Sequence, residues 1–170
     1  PLEHWLANRQ PDAEHILATA KEMMGRPYLW GGTSGKGMDC SGFTKTIYYL
    51  NGVLLPRDAN QQAAVGEDVQ TDTTLKNMQP GDLLFFGRKA NMEQKERISH
   101  VAIYLGDGKI IHASNKVEIA SMKRGDADFA EYRLTSFVRS KRMIGSVGKN
   151  GVVAVAESPF YKVEKTSLAD

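Results

Sequence analysis

Apolar residues recur at helical spacing in two stretches of the first fifty residues, and in short runs or alternation over the second half. Ile16, Leu17, Ala20, Met23 and Met24 fall on one face of a helix that Asp12 caps and that Gly25 and Pro27 end. Residues 31–37 then hold four glycines, too many for a regular element. This is a loop that brings backbone close to another group, and it lacks the Lys-Ser/Thr ending of a phosphate loop. From Ser41 onward Phe43, Ile47 and Leu50 repeat at helical spacing until Gly52 stops them, so Cys40 falls in the first turn. Residues 57–66 are polar with a short helical tendency. Pro80, Gly81 and Asp82 turn the chain into the apolar run Leu83 to Phe86, a strand bounded by Gly87, and residues 88–97 are charged and loop-like.

The clearest hairpin signal is SHVAIYL, then Gly106-Asp107-Gly108, then KIIHAS. Its register decides which side chains share a face. A two-residue Asp107-Gly108 turn sets Ile103 opposite His112 and leaves His100 on the other face, whereas a three-residue loop sets Ala102 opposite His112 with His100 diagonally beside it. The glycines favour the three-residue loop, with Gly108 at positive φ. A further strand is expected near 136–144, and GVVAVAESPF either adds one more or packs as a tail. Helices followed by several strands indicate an α+β domain, its helices packed on a largely antiparallel sheet.

At 170 residues the chain has room for one domain with a full core and appended segments. Its 41% apolar and 25% charged content is ordinary for a globular protein, and a net charge of +2 gives no argument for nucleic acid. No stretch reaches the length of a membrane span, and one cysteine forms no internal disulfide. The chain opens at Pro1 with neither an initiator methionine nor a signal-peptide pattern, so its compartment is not written in it.

That cysteine is the candidate nucleophile. Cys40 follows WGGTSGKGMD and starts a helix, where the helix dipole favours the thiolate. A cysteine nucleophile needs a base, and the base a partner that fixes its ring. His100 and His112, on the two arms of the hairpin, supply both if the register brings them to one face: His100 as base, His112 as the orienting residue. His4 and His15 lie in the polar start and on the wet face of the first helix, outside this arrangement. The same three residues form a conceivable zinc shell with water, but no H-E-x-x-H or closely spaced ligand pair accompanies them, so neither metal nor other cofactor is expected.

The segments GRPYLWGGTSGKGMDCSGFTKTIYYLNGVLLPRDANQQ, MQPGDLLFFG and ISHVAIYLGDGKIIHAS resemble the NlpC/P60 cysteine peptidases, papain-like enzymes that cut the peptides of bacterial peptidoglycan. The resemblance covers about residues 12–144. It implies Cys40 as nucleophile, His100 as base and His112 as third member of the triad, with the Cys40 N–H and Tyr28 lining an oxyanion site. PYLWGG with MDCSG and LPRDA is similar to the branch of γ-D-glutamyl-L-diamino acid endopeptidases that act on stem peptides with a free N-terminal L-alanine. In that setting the free amine asks for Asp39 and Asp58, the glutamyl α-carboxylate for Arg57 or Ser41, and Trp30 supplies an apolar wall. Asp39 equally reads as a helix cap, and Arg57-Asp58 as a surface pair.

The resulting expectation is a linker or N-terminal extension at 1–11, a catalytic domain at 12–145 and a C-terminal extension at 146–170. Partners are peptidoglycan-derived peptides, with no nucleic acid, and a cell-wall substrate implies the envelope rather than the cytoplasm. Members of the branch carry SH3-like domains ahead of the catalytic one. None is seen here, so either the chain is a fragment or the substrate restriction is made otherwise. The alternatives are a broader hydrolase or amidase of cross-linked wall, and a non-catalytic wall-binding module, against which the intact Cys/His/His set argues.

Overall fold

The computed structural model describes residues 4, 5, 9 and 11–161. Helix α1 (Ala13–Glu22) is capped by Asp12, which accepts the His15 N–H at 2.9 Å, and it buries Ile16 and Ala20. His15 stays exposed, bonded to Asp12. The helix ends two residues earlier than its apolar pattern predicts, and Met24, beyond the last turn, is exposed. The glycine-rich segment contains a small hairpin, β1 (Thr33–Ser34) with β2 (Gly37–Met38), where sequence predicts only loop.

Helix α2 (Cys40–Leu50) begins at the cysteine and buries Phe43, Ile47 and Tyr48 completely. Burying each of these side chains contributes about 2 kcal/mol. The Tyr48 hydroxyl donates to the Gly81 carbonyl at 2.5 Å, tying the helix to the turn ahead of the sheet. Asn51 ties its other end to α1, donating to the Ile47 carbonyl and to Thr19 Oγ1. After β3 (Val53–Leu54) comes the short α3 (Ala59–Gln62).

The strands β4 (Glu67–Asp68), β5 (Leu83–Arg88), β6 (Arg97–Gly106), β7 (Lys109–Ala113), β8 (Val117–Ser121) and β9 (Phe137–Arg142) form one antiparallel sheet in the order β4-β9-β5-β6-β7-β8. It is covered on both faces, which explains why Leu83 to Phe86 is apolar without alternation. Leu83, Phe85, Val101, Ile103 and Ile111 pack in one cluster with Phe43 and Ile47 of α2. Leu84, Phe86, Ala102, Tyr104 and Ile110 pack with Leu134 of α4 (Glu131–Thr135) and with Phe137. The α+β expectation holds. Strand β8 and helix α4 were not expected, since VEIAS mixes polar and apolar residues without clean alternation. The stretch read as a charged loop is shortened by strands reaching Arg88 and Arg97. In the C-terminal segment β10 (Val153–Ala154) pairs with β3, and Val152 and Val155 are buried.

The β6–β7 hairpin corrects one expectation and keeps its consequence. Its tip is a two-residue turn, Asp107-Gly108, with Gly106 opposite Lys109 and positive φ at both turn residues. That turn alone would separate the histidines. Between Tyr104 and Gly106, however, Leu105 is an extra residue on β6, and beyond this bulge Tyr104 faces Ile110 and Ile103 faces Ile111. The bulge restores the register that a three-residue loop was expected to provide.

Candidate active site

Asp39 ends the glycine loop in extended conformation and caps α2, its Oδ1 accepting the Gly42 N–H at 2.7 Å. Oδ1 also accepts from the Ser41 hydroxyl at 3.2 Å, and Oδ2 from the Gly31 N–H at 3.0 Å. Arg57 closes a two-pronged pair on the same carboxylate, Nη2 to Oδ2 at 2.6 Å and Nη1 to Oδ1 at 3.1 Å. Burial pushes the Asp39 carboxyl up, but the Arg57 and Gly42 hydrogen bonds outweigh it and hold the group below the usual carboxylate range. Loop and helix meet without a side chain between them. A Cβ on Gly42 would lie 2.1 Å from the Gly32 carbonyl oxygen.

Cys40 is therefore held at a fixed helix start, 8% exposed, and packs in one core cluster with Val101, the residue after His100. Burial pushes the thiol up. The Val101 N–H opposes this, the Asp39 charge adds to it, and the N–H groups of Ser41 and Cys40 itself oppose it, leaving the pKa raised. The helix start thus acts as expected but does not outweigh desolvation, so in the free protein the sulfur is a thiol that needs a base.

The histidine pair is carried by β6 and β7. His100 Nε2 lies 2.8 Å from His112 Nδ1, with both rings buried. Phe86, opposite His100 on β5, packs its ring 5.8 Å from the imidazole, and directly after this pair the register shifts, with Ser99 as an extra residue on β6. Gly87 permits that bulge, since a Cβ there would lie 2.0 Å from the Arg97 carbonyl oxygen. Burial holds His100 well below the ordinary imidazole value, with the Arg133 cation and then His112 adding to the effect. Burial and then Arg133 lower His112 to about 4. Both rings are neutral at pH 7, the state in which His100 accepts a proton.

Cys40 lines a groove of about 620 Å³ together with Tyr28, Trp30, Asp39, Ser41, Arg57 and Asp58. All six residues proposed from sequence to bind substrate are thus brought together. Four of them differ in detail. Trp30 is 86% exposed and stands at the rim rather than forming a wall. The Arg57 fork is engaged by Asp39, with Nη1 also reaching Ser41 Oγ at 3.1 Å, and Asp39 accordingly has no oxygen without a partner. Asp58 is exposed and begins α3, its N–H donating to Gln61 Oε1 at 3.0 Å. Sequence reading missed Gln62, a buried side chain that accepts from Thr44 Oγ1 at 2.7 Å and donates to the Ser41 and Pro56 carbonyls. It fastens the Arg57 segment to α2. Its only signal was a polar residue in an otherwise solvent-facing stretch. Among the described residues no group of three His, Cys, Asp or Glu is placed to hold a metal ion, and no helix is long and apolar enough to cross a membrane.

A thiol at a helix start, packed against an antiparallel sheet that carries a hydrogen-bonded histidine pair, defines a domain of the papain-like cysteine peptidase class. The sequence matches the profile of the NlpC/P60 family over residues 25–139, and the chain belongs to that family of cysteine peptidases. It is 45% identical over 112 residues to a γ-D-glutamyl-L-lysine dipeptidyl-peptidase of Bacillus cereus, a match covering 64% of this chain and 32% of that protein. The chain thus matches about a third of that relative's length. Among solved structures it resembles an NlpC/P60 family protein from Bacillus cereus, at TM-score 0.63 and 38% identity over 78% of this chain and 40% of the other. It also resembles the NlpC/P60 domain of the peptidoglycan hydrolase SagA, at TM-score 0.61 and 29% identity over 78% of this chain and 99% of that one.

Proposed function

We propose that residues 12–145 form a cysteine endopeptidase domain, flanked by extensions at 1–11 and 146–170, that hydrolyses the γ-D-glutamyl amide to an L-diamino acid in peptidoglycan stem peptides with a free N-terminal L-alanine. The supporting observation is that Cys40 lines the groove and packs with Val101, the residue that follows His100 on β6, while the His100 ring bonds His112 at 2.8 Å. Of the His100 ring nitrogens, Nε2 is engaged by His112, which leaves Nδ1 to take the thiol proton. His100 then carries its resting proton on Nε2 and donates it to His112 Nδ1.

The thiolate attacks the γ-carbonyl carbon, and the oxyanion forms beside the Cys40 N–H and Tyr28. His100 gives its proton to the departing amine of the diamino acid, the C–N bond breaks, and a thioester remains. Water attacks the thioester with His100 taking its proton, the C–S bond breaks, and the glutamyl γ-carboxylate leaves. Asp58, exposed at the groove edge, is the remaining acid for the substrate amine, because Asp39 is occupied. Arg57 serves the glutamyl α-carboxylate through the guanidinium N–H groups that Asp39 and Ser41 leave free, and Ser41, whose hydroxyl donates to Asp39, joins in only by turning that hydroxyl to the substrate.

The test uses the protein and its Cys40→Ala variant with L-Ala-γ-D-Glu-L-diamino acid peptides, with and without an N-acetyl cap, and identifies products by mass. Cleavage of the free peptide alone is expected, and the variant is expected to be inactive. Equal cleavage of capped peptides would replace this reading by that of a broader hydrolase of intact wall, which the likeness to the SagA hydrolase domain also supports.

A further inference from the structure

A further set of residues, from the start of β6, lines the groove. Arg97, Ile98 and Ser99, the three residues that lead into His100 on β6, line it together with Cys40. Arg97 and Ser99 are exposed. Among the described residues Arg97 makes no ion pair and no side-chain hydrogen bond, and its acidic neighbour Glu96 is held by Arg139 at 2.6 Å. The other groove cation, Arg57, is neutralised by Asp39. Asp58 likewise makes no ion pair among the described residues. Among the charged residues of the groove, Asp58 at the start of α3 and Arg97 at the start of β6 are therefore the two that form no ion pair among the described residues.

The proposed reaction fixes which half of the substrate meets which end. His100 must protonate the leaving amine, so the diamino acid lies against His100 and the residues that precede it. We propose that Arg97 is a specificity-determining residue that binds a carboxylate of this leaving residue, so that the groove recognises a short peptide ionised at both ends. The inference rests on the endopeptidase reading above. Two carboxylates fit the chemistry: the α-carboxylate of a free C-terminal diamino acid, and the side-chain carboxylate that diaminopimelate has and lysine lacks. Both offer a guanidinium a two-pronged partner. The extra residue of the β6 bulge, Ser99, lies between Arg97 and His100 and lines the groove with Arg97.

Three peptides separate the cases: L-Ala-γ-D-Glu-L-Lys as free acid, the same peptide as C-terminal amide, and the diaminopimelate peptide amidated at its α-carboxyl, which keeps only the side-chain carboxylate. The intact protein is expected to cleave at least one carboxylate-bearing peptide with kcat/KM about tenfold above the lysine amide, the worth of one charge-assisted hydrogen bond in a partly wet groove. Arg97→Gln is expected to bring that ratio close to one, and Arg97→Lys to keep part of it. Preference for the free lysine acid assigns the α-carboxylate, and preference for the amidated diaminopimelate peptide assigns the side chain. Cleavage without discrimination, a ratio that survives Arg97→Gln, or an equal loss on all three peptides in that variant would each overturn the role of Arg97 alone. An intact protein that cleaves none of the three overturns the endopeptidase reading and this inference with it.

Discussion

His100 Nε2 and His112 Nδ1 lie 2.8 Å apart because one extra residue, Leu105, resets the register between the strands that carry them. The bond holds the His100 ring with its other nitrogen available. His112→Asn, which offers an amide oxygen to the same ring, is expected to keep more activity than His112→Ala. The alanine variant should lower kcat on the order of 10²-fold with little change in KM. Equal kcat for His112→Ala and the intact protein would remove His112 from the mechanism.

Burial of the two rings also makes stability depend on pH. Their folded pKa values lie below the ordinary 6.5, so as pH falls the unfolded chain takes up protons that the folded chain refuses. Stability should be full above about pH 6.5 and fall as pH drops from there. The part due to His112 should stop growing below its folded value of about 4. That part amounts to about 3 kcal/mol. Urea denaturation at pH 7, 5.5 and 4.5 measures it, and His112→Asn should flatten the slope.

Asp39→Asn and Asp39→Ala separate the two duties of Asp39. The asparagine retains an acceptor for the Gly42 N–H but leaves the Arg57 cation without its anion, at an expected cost of about 2 kcal/mol. The alanine also removes the cap, which adds about 1 kcal/mol. Thermal denaturation of both variants tests the order.

Gln62→Leu should destabilise by about 2 kcal/mol, because it takes the Pro56 carbonyl's donor away and leaves Thr44 Oγ1 and the Ser41 carbonyl only the bond they make to each other. Loosening of the Arg57 segment should raise KM as well. Denaturant titration and peptide kinetics read the two effects separately.

Helices α1 and α2 and strands β5–β7 were legible because their apolar spacing and glycine punctuation act locally. Strand β8 was not, since residues 117–121 become a strand only by pairing with β7. The turn at residues 107–108 and the bulge at Leu105 compensate for one another, so the face shared by the two histidines was legible although the loop that produces it was not. Cys40 stood out as the one cysteine at a helix start. Its raised pKa was hidden, because it depends on burial by the tertiary fold and on the nearby Asp39 charge. Arg97 read as part of a charged loop, and only the length of β6 carries it into the groove.

The contact between Gly42 and the Gly32 carbonyl has a consequence for protein engineering. The glycine loop and the start of α2 were shaped against each other, so they form a single transplantable module. A chimera that takes one from a relative and keeps the other inherits a collision or a gap directly behind the thiol, whereas an exchange of residues 31–42 as a block carries the fit along with it.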